Sequence, residues 1–359
     1  MTQPDAQAHP VRLRVGYKAS AEQFSPAELA SFAEVAEDLG FDSVWLSDHV
    51  QPWRHRGGHA PASVPLLGFL AARTERVLLG TSVLTPTFRY HPGVLAQEFA
   101  TLAGLAPGRV ALGVGTGEAL NEQVMGVLPH AHEEPGGRWP PFGERLARLA
   151  EAVALMRRLW AGERVTATGH EGRDPYWPVT DLRLYDPPPQ PIPVYVAGGG
   201  PKIARFAGAL GDGFIATSGK GRELYADKLL PAVAEGLTER PDGAPASYDR
   251  MLELKCSYDP DPRRALENVR FWAPLSLPAE AKHSLSDPVA MEAAADALPI
   301  EQVASRWVVA SRPEDVVEAA REYVELGFTH LVLHGPGADQ ERFLRRVADE
   351  ALAGLRELG

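Results

Sequence analysis

The chain has 359 residues, 45% of them apolar and 23% charged, a balance that suits a folded protein and excludes a disordered one. A formal net charge of −11 argues against a nucleic-acid or membrane partner, and the single cysteine, Cys256, excludes an intrachain disulfide and a cysteine-cluster metal site. Residues 1–10 show no leader-like pattern and no apolar run approaches the ~18 residues of a membrane span, so a soluble protein of the reducing cytoplasm is expected.

After a flexible tail (1–10), Leu13-Arg14-Val15-Gly16-Tyr17 alternates as a first strand. Ser25-Pro26-Ala27-Glu28 combines an N-cap, proline at the first helical position and glutamate at the third. Leu29, Phe32, Ala33, Ala36 and Leu39 then keep helical spacing until Gly40. Residues 43–47 form a second strand, 66–74 a helix, and 77–83 a third strand, apolar as expected of a parallel strand buried on both faces. A helix over 91–105, a strand over 110–115 and a long amphipathic helix over 142–160 follow. Strands at 194–197, 214–217, 252–258 and 330–333 alternate with helices at 203–210, 224–237, 313–326 and 339–358. Eight strands, each followed by helical material, predict an α/β fold, a (β/α)8 TIM barrel rather than an open doubly wound sheet. Residues 11–359 are read as one catalytic domain, with insertions at about 129–141, 162–193 and 274–299.

In such a barrel the strand C-termini and the loops after them build the active site. Lys18, Ser20 and Glu22 follow strand one; Asp48, His49 and Trp53 follow strand two. An Asp-His pair there reads equally as a helix N-cap with a structural histidine. Gly113-Val114-Gly115-Thr116-Gly117-Glu118 imitates a dinucleotide fingerprint but places Glu118 where the last glycine belongs. It is read as backbone approaching a flat ligand, ahead of a functional carboxylate. Gly198-Gly199-Gly200-Pro201 has the form of an anion nest entering a helix, and Thr217-Ser218-Gly219-Lys220 offers parts for a second phosphate. A plain turn and a surface lysine are the bland alternatives. None of the histidines has H-E-x-x-H spacing, and no metal is expected.

Several long strings carry a resemblance. Gly16-Tyr17-Lys18-Ala19-Ser20-Ala21-Glu22-Gln23-Phe24, Ser47-Asp48-His49 onward to His59, residues 79–90 and 113–121, Phe271-Trp272-Ala273-Pro274-Leu275-Ser276-Leu277 and Lys282-His283-Ser284 resemble the coenzyme F420-dependent glucose-6-phosphate dehydrogenases. That family belongs to the luciferase-like TIM barrels. The resemblance implies cofactor contacts at Asp48, Thr85, Thr116, Gly117, Asn121, Gly199 and Gly200, and a non-prolyl cis peptide at Ser82-Val83 beneath the deazaflavin. It implies catalytic roles for His49 and Glu118, with Trp53 beside them and Glu22 nearby, and sugar-phosphate contacts at Thr217, Lys220, Lys282 and Arg306. The implied partners are F420 and glucose 6-phosphate, the implied assembly a homodimer, and the implied reaction oxidation at C1 to 6-phosphogluconolactone.

His49 is assigned as the base for the C1 hydroxyl and Glu118 as a proton donor, an acid–base order that the sequence itself does not fix. The alternatives are an F420-dependent dehydrogenase of another sugar 6-phosphate or alcohol, and an FMN-dependent monooxygenase on the same scaffold.

Overall fold

The computed structural model describes residues 12–133, 137–168, 174–245 and 247–359, so the tail at 1–10 lies outside the described residues. Eight parallel strands close a barrel: β1 Arg14–Ala19, β2 Ser43–Leu46, β3 Leu78–Thr81, β4 Val110–Val114, β5 Val194–Ala197, β6 Gly213–Thr217, β7 Asp249–Tyr258 and β8 His330–His334. Closure runs through β6–β7, where Thr217 faces Glu253, then β7–β8 and β8–β1, where Tyr17 faces Leu333.

Side chains alternate across each strand, and the inward set fills the barrel. Trp45, Ala111, Tyr195, Ile215, Met251 and Val332 make its middle layer. Two bulky rings fit only because glycines face them: a Cβ at Gly80 would strike Trp45, and one at Gly213 would strike Tyr195. The Trp45 and Tyr195 rings meet edge to face at 5.1 Å. Outward side chains such as Val15, Leu79, Leu112 and Phe214 join the main core against the helices.

The helix Pro26–Asp38 carries the expected capping box, with Ser25 Oγ accepting from the Glu28 amide and the Glu28 carboxylate accepting from the Ser25 amide. Phe142–Trp160 is helical as the periodicity predicts. The stretch expected as an irregular excursion at 162–193 holds a small antiparallel hairpin, Val165–Ala167 with Val179–Leu182, and Val308–Ala310 adds an edge strand to β7. Residues 268–307 rise over the C-terminal rim and build a second apolar cluster in which Trp53, Leu120, Val269, Trp272, Met291 and Trp307 pack together. That cluster walls the space above the strand ends. Among the described residues no helix is long and apolar enough to cross a membrane.

Candidate active site

Strand β2 hands its chain to Ser47, Asp48 and His49. His49 Nε2 lies 3.3 Å from Glu22 Oε1, and Ser47 donates to the other Glu22 oxygen. Burial alone would raise the Glu22 carboxyl, but His49, Lys18 and the Ser47 hydroxyl together hold it below the usual carboxylate range. Across the imidazole, Nδ1 lies 3.2 Å from both the Asn121 amide nitrogen and the Gln51 carbonyl oxygen. The first contact suits a neutral ring with a lone pair at Nδ1; the second suits a protonated one. Trp53 stands 5.5 Å from the His49 ring, centroid to centroid.

Glu118 sits at the N-cap position of the short helix Ala119–Glu122, its side chain making no capping bond. Its residue is open to solvent, yet protein crowds the carboxyl, and that desolvation raises its pKa against the pull of His49. Glu22 and Glu118 thus flank His49 with opposite tendencies, one held ionised and one favoured as the acid.

Asp48 is buried and fully engaged. It accepts from Ser63 Oγ at 2.8 Å, Arg89 at 2.7 Å and Tyr90 OH at 3.1 Å. It also accepts from the Ser63 amide at 3.3 Å, so it caps the helix Ser63–Arg73 from a distance, where the N-cap Ala62 has no side-chain oxygen to offer. Arg89 in turn lies 3.3 Å from Glu122 Oε1, which Thr85 Oγ1 approaches at 2.6 Å. Asn121 accepts from the Val50 amide at 2.8 Å and so fixes the His49 loop.

The Ser82–Val83 peptide is cis, and Lys18 Nζ donates to the Ser82 carbonyl. A Cβ at Gly115 would come within 2.8 Å of Val83, and Gly117 sits at φ +84°. Gly115 thus packs directly against Val83, while Gly117 lies against Thr87 and Glu122. Gly200 caps the helix Pro201–Leu210 with no side-chain bond, leaving the first amides of that helix without a side-chain acceptor, and Lys220 Nζ reaches to Gly199. A planar ring with an anionic tail fits this donor set.

Lys220, Lys282 and Arg306 lie within electrostatic reach of one another. Burial lowers the pKa of both lysines and Arg306 lowers each further. Lys282 also donates to the Leu275 carbonyl at 3.2 Å. Thr217 ends β6 opposite Glu253.

Sequence reasoning passed over Lys255. Burial pushes this lysine down to about 8, and Arg306, Lys220 and Lys282 add to the effect while Glu253 opposes it. Glu253, His334, Arg89 and Glu122 were missed as well. Leu252-Glu253-Leu254-Lys255 carried the signal, since charges two apart in an apolar strand mark inward positions of a barrel. Among the described residues no group of His, Cys, Asp and Glu could hold a metal.

All but Tyr248 and Arg356 of the buried side-chain atoms without a hydrogen-bond partner among the described residues lie on this rim. They include Thr87 Oγ1, Glu122 Oε2, Gln51 Oε1, Arg306 Nε and His334 Nε2. Buried polar atoms are normally paired, so their gathering here marks a site built for ligands.

Comparison with known proteins agrees with this geometry. Residues 8–330 match the luciferase-like monooxygenase family. The F420-dependent glucose-6-phosphate dehydrogenase of Intrasporangium calvum is 60% identical over 346 residues, spanning 96% of this chain and 100% of that protein. The protein of the same name from Nocardia farcinica is 57% identical, spanning 96% of this chain and 99% of its own length. Among solved structures, an F420-dependent secondary alcohol dehydrogenase in complex with an F420-acetone adduct superposes with a TM-score of 0.84 at 29% identity, covering 96% of this chain and 99% of that one. The coenzyme F420-dependent tetrahydromethanopterin reductase of Methanopyrus kandleri shares the fold at a TM-score of 0.74 and 21% identity, covering 96% of this chain and 99% of its own.

Proposed function

The chain belongs to the F420-dependent glucose-6-phosphate dehydrogenases within the luciferase-like family, and from that membership we propose that it oxidises glucose 6-phosphate at C1 to 6-phosphogluconolactone, with oxidised F420 as hydride acceptor. The observation that carries the chemistry is the trio Glu22, His49 and Glu118. F420, when bound, supplies a deazaflavin ring whose C5 takes up the hydride.

The protein's part is to hold the sugar, exclude water and move one proton. His49 receives the C1 hydroxyl proton, and the ionised Glu22 at 3.3 Å stabilises the imidazolium that results, as the carboxylate of a catalytic triad does. The Gln51 carbonyl stands ready to accept from Nδ1–H in that state. Glu118, whose crowded carboxyl is shifted toward the protonated form, serves as the proton donor. Trp53, packed with Leu120 and Trp272, shields the reacting face.

Lys220, Lys282 and Arg306 supply the charge a dianionic phosphate requires in a protein that is acidic overall. The secondary alcohol dehydrogenase structure keeps a phosphate-free alcohol as the second reading. The cation cluster favours the phosphorylated sugar, because a site for a small neutral alcohol has no use for it. Family membership also supports a homodimer in the cytoplasm.

Purified protein mixed with oxidised F420 and glucose 6-phosphate should bleach the deazaflavin absorbance, while FMN or NADP in its place should give no sugar-dependent change. Free glucose should be a very poor substrate, because phosphate binding also positions C1. His49→Ala and Glu118→Gln should each cut turnover by ~10²–10⁴-fold with F420 affinity retained. Absence of bleaching with F420 defeats the proposal; equal turnover of glucose and its phosphate defeats the phosphate assignment.

A further inference from the structure

The two ends of a hexose 6-phosphate are its anomeric carbon and its phosphate. With C1 at His49 and the phosphate at the lysine–arginine cluster, the ring must lie over the inner floor of the barrel mouth. That floor is polar. Lys18, next to last in β1, lies 3.6 Å from Glu253 Oε2, and Glu253 Oε1 accepts from His334 Nδ1 at 3.1 Å. The three span the required gap: Glu253 is in electrostatic contact with Lys255 of the cation cluster, and Lys18 with Glu22 beside His49.

His334 is the last residue of β8, on the same inward face as His330 and Val332. Its ring is 2% exposed and stands edge-on between Trp272, at 4.5 Å, and Trp307, at 5.0 Å. With Nδ1–H committed to Glu253, the neutral imidazole carries its lone pair on Nε2. Nε2 has no hydrogen-bond partner among the described residues. Leaving a buried acceptor unpaired is costly, and nothing in the packing of two tryptophans requires a histidine there. The indole nitrogen of the adjacent Trp307 is equally unpaired.

We infer that Glu253 and His334 form a hydroxyl-reading pair for the hexose ring. Nε2 accepts from one ring hydroxyl, while the Glu253 carboxylate, anchored by Lys18, fixes the imidazole tautomer and takes a neighbouring hydroxyl. The pair is a specificity-determining contact between the reacting and phosphate ends of the site, and it rests on the sugar-phosphate reading given above. A site built to pair a hydroxyl rejects the analogue that lacks it far more strongly than an apolar wall does.

The test compares kcat/KM for glucose 6-phosphate and its 2-, 3- and 4-deoxy analogues in the unmodified protein, His334→Phe and Glu253→Gln. Phe keeps the ring between Trp272 and Trp307 and removes the acceptor. The unmodified protein should disfavour at least one deoxy analogue by about 10–100-fold, the worth of a charge-assisted hydrogen bond. In His334→Phe glucose 6-phosphate should fall by a similar factor, and the penalty on that analogue should vanish. Affinity for F420, read by fluorescence, should hold in both variants.

If the four sugars fall in parallel in each variant, or do not fall, the inference is overturned. Should His334→Phe lose F420 binding, Glu253→Gln, which conserves size, carries the same comparison. Failure of the unmodified protein to turn over glucose 6-phosphate would instead defeat the functional reading itself.

Discussion

Lys255 shows how one residue can set a pH dependence. Its ammonium is stripped of water inside the barrel and crowded by three other cations, so it releases its proton near pH 8, well below an ordinary lysine. A bound phosphate favours the charged form, so the contribution of Lys255 to affinity is present below that pH and lost as pH rises through it. The phosphate's own second ionisation lies near ~6, so the ligand is already dianionic in this window and adds no trend of its own. KM for glucose 6-phosphate should therefore climb between pH 7 and 9, and Lys255→Gln should raise it at pH 7 and flatten the climb. A KM that stays constant across the range in the unmodified protein would remove Lys255 from the phosphate site. His49 and Glu118 could be found from sequence because they stand in loops beside glycines and an aromatic. Lys255 and Glu253 sit inside a strand, where apolar neighbours disguise them until the closed barrel turns them inward.

At the level of elements, the loop after β2 is tied down by Arg89. Its guanidinium, 4% exposed, bridges Asp48 and Glu122, and Asp48 in turn caps the helix Ser63–Arg73. Burial raises the Glu122 carboxyl and Arg89 opposes this, so Glu122 can shed its charge by protonation if its partner is lost. Asp48 would be left with only Ser63 and Tyr90 as donors. Arg89→Met should then cost about 3–5 kcal/mol in urea unfolding, as removal of one member of a buried pair does, with Glu122→Gln markedly milder. Equal losses from the two variants would contradict the arrangement.

Element boundaries followed from local chemistry wherever a cap or a long period existed, as at Ser25 and in Phe142–Trp160. The hairpin Val165–Ala167 with Val179–Leu182 escaped because strands this short and exposed carry too few residues for a period. The helix expected over 224–237 runs from Arg222 through a π turn at Tyr225–Leu229, a detail set by packing rather than by periodicity.

For the molecule as a whole, the barrel separates chemistry at one end from stability at the other. At the N-terminal end Asp249 accepts from His330 Nδ1 at 2.9 Å, Tyr195 OH at 2.9 Å and Thr329 Oγ1 at 2.6 Å, and pairs with Arg14. His330 Nε2 meets Ser43 Oγ at 2.7 Å, and the Trp45 indole donates to the same oxygen. This is a Ser–His–Asp sequence of contacts, but Ser43 and His330 are wholly buried at the N-terminal end of the barrel, away from the rim site. Its role is to close the base of the barrel. Burial works to raise the Asp249 carboxyl, and His330, Arg14 and Thr329 together depress it well below the ordinary range.

A carboxyl depressed on folding adds stability that is fully present above its unfolded value of ~3.9 and is lost as pH falls through the folded one. Asp249→Asn should therefore lower stability by about 3–5 kcal/mol at pH 7, since it strands Arg14 and His330. The gap between variant and parent should narrow as the pH is taken below ~4. Because the whole barrel separates Asp249 from His49, kcat at a temperature where the variant is folded should be unchanged. Denaturation midpoints at pH 7 and pH 3, set beside kcat at 20 °C (a temperature of roughly maximal stability for many domains), decide the matter. A variant with normal midpoints but reduced kcat would show that this end of the barrel takes part in the chemistry.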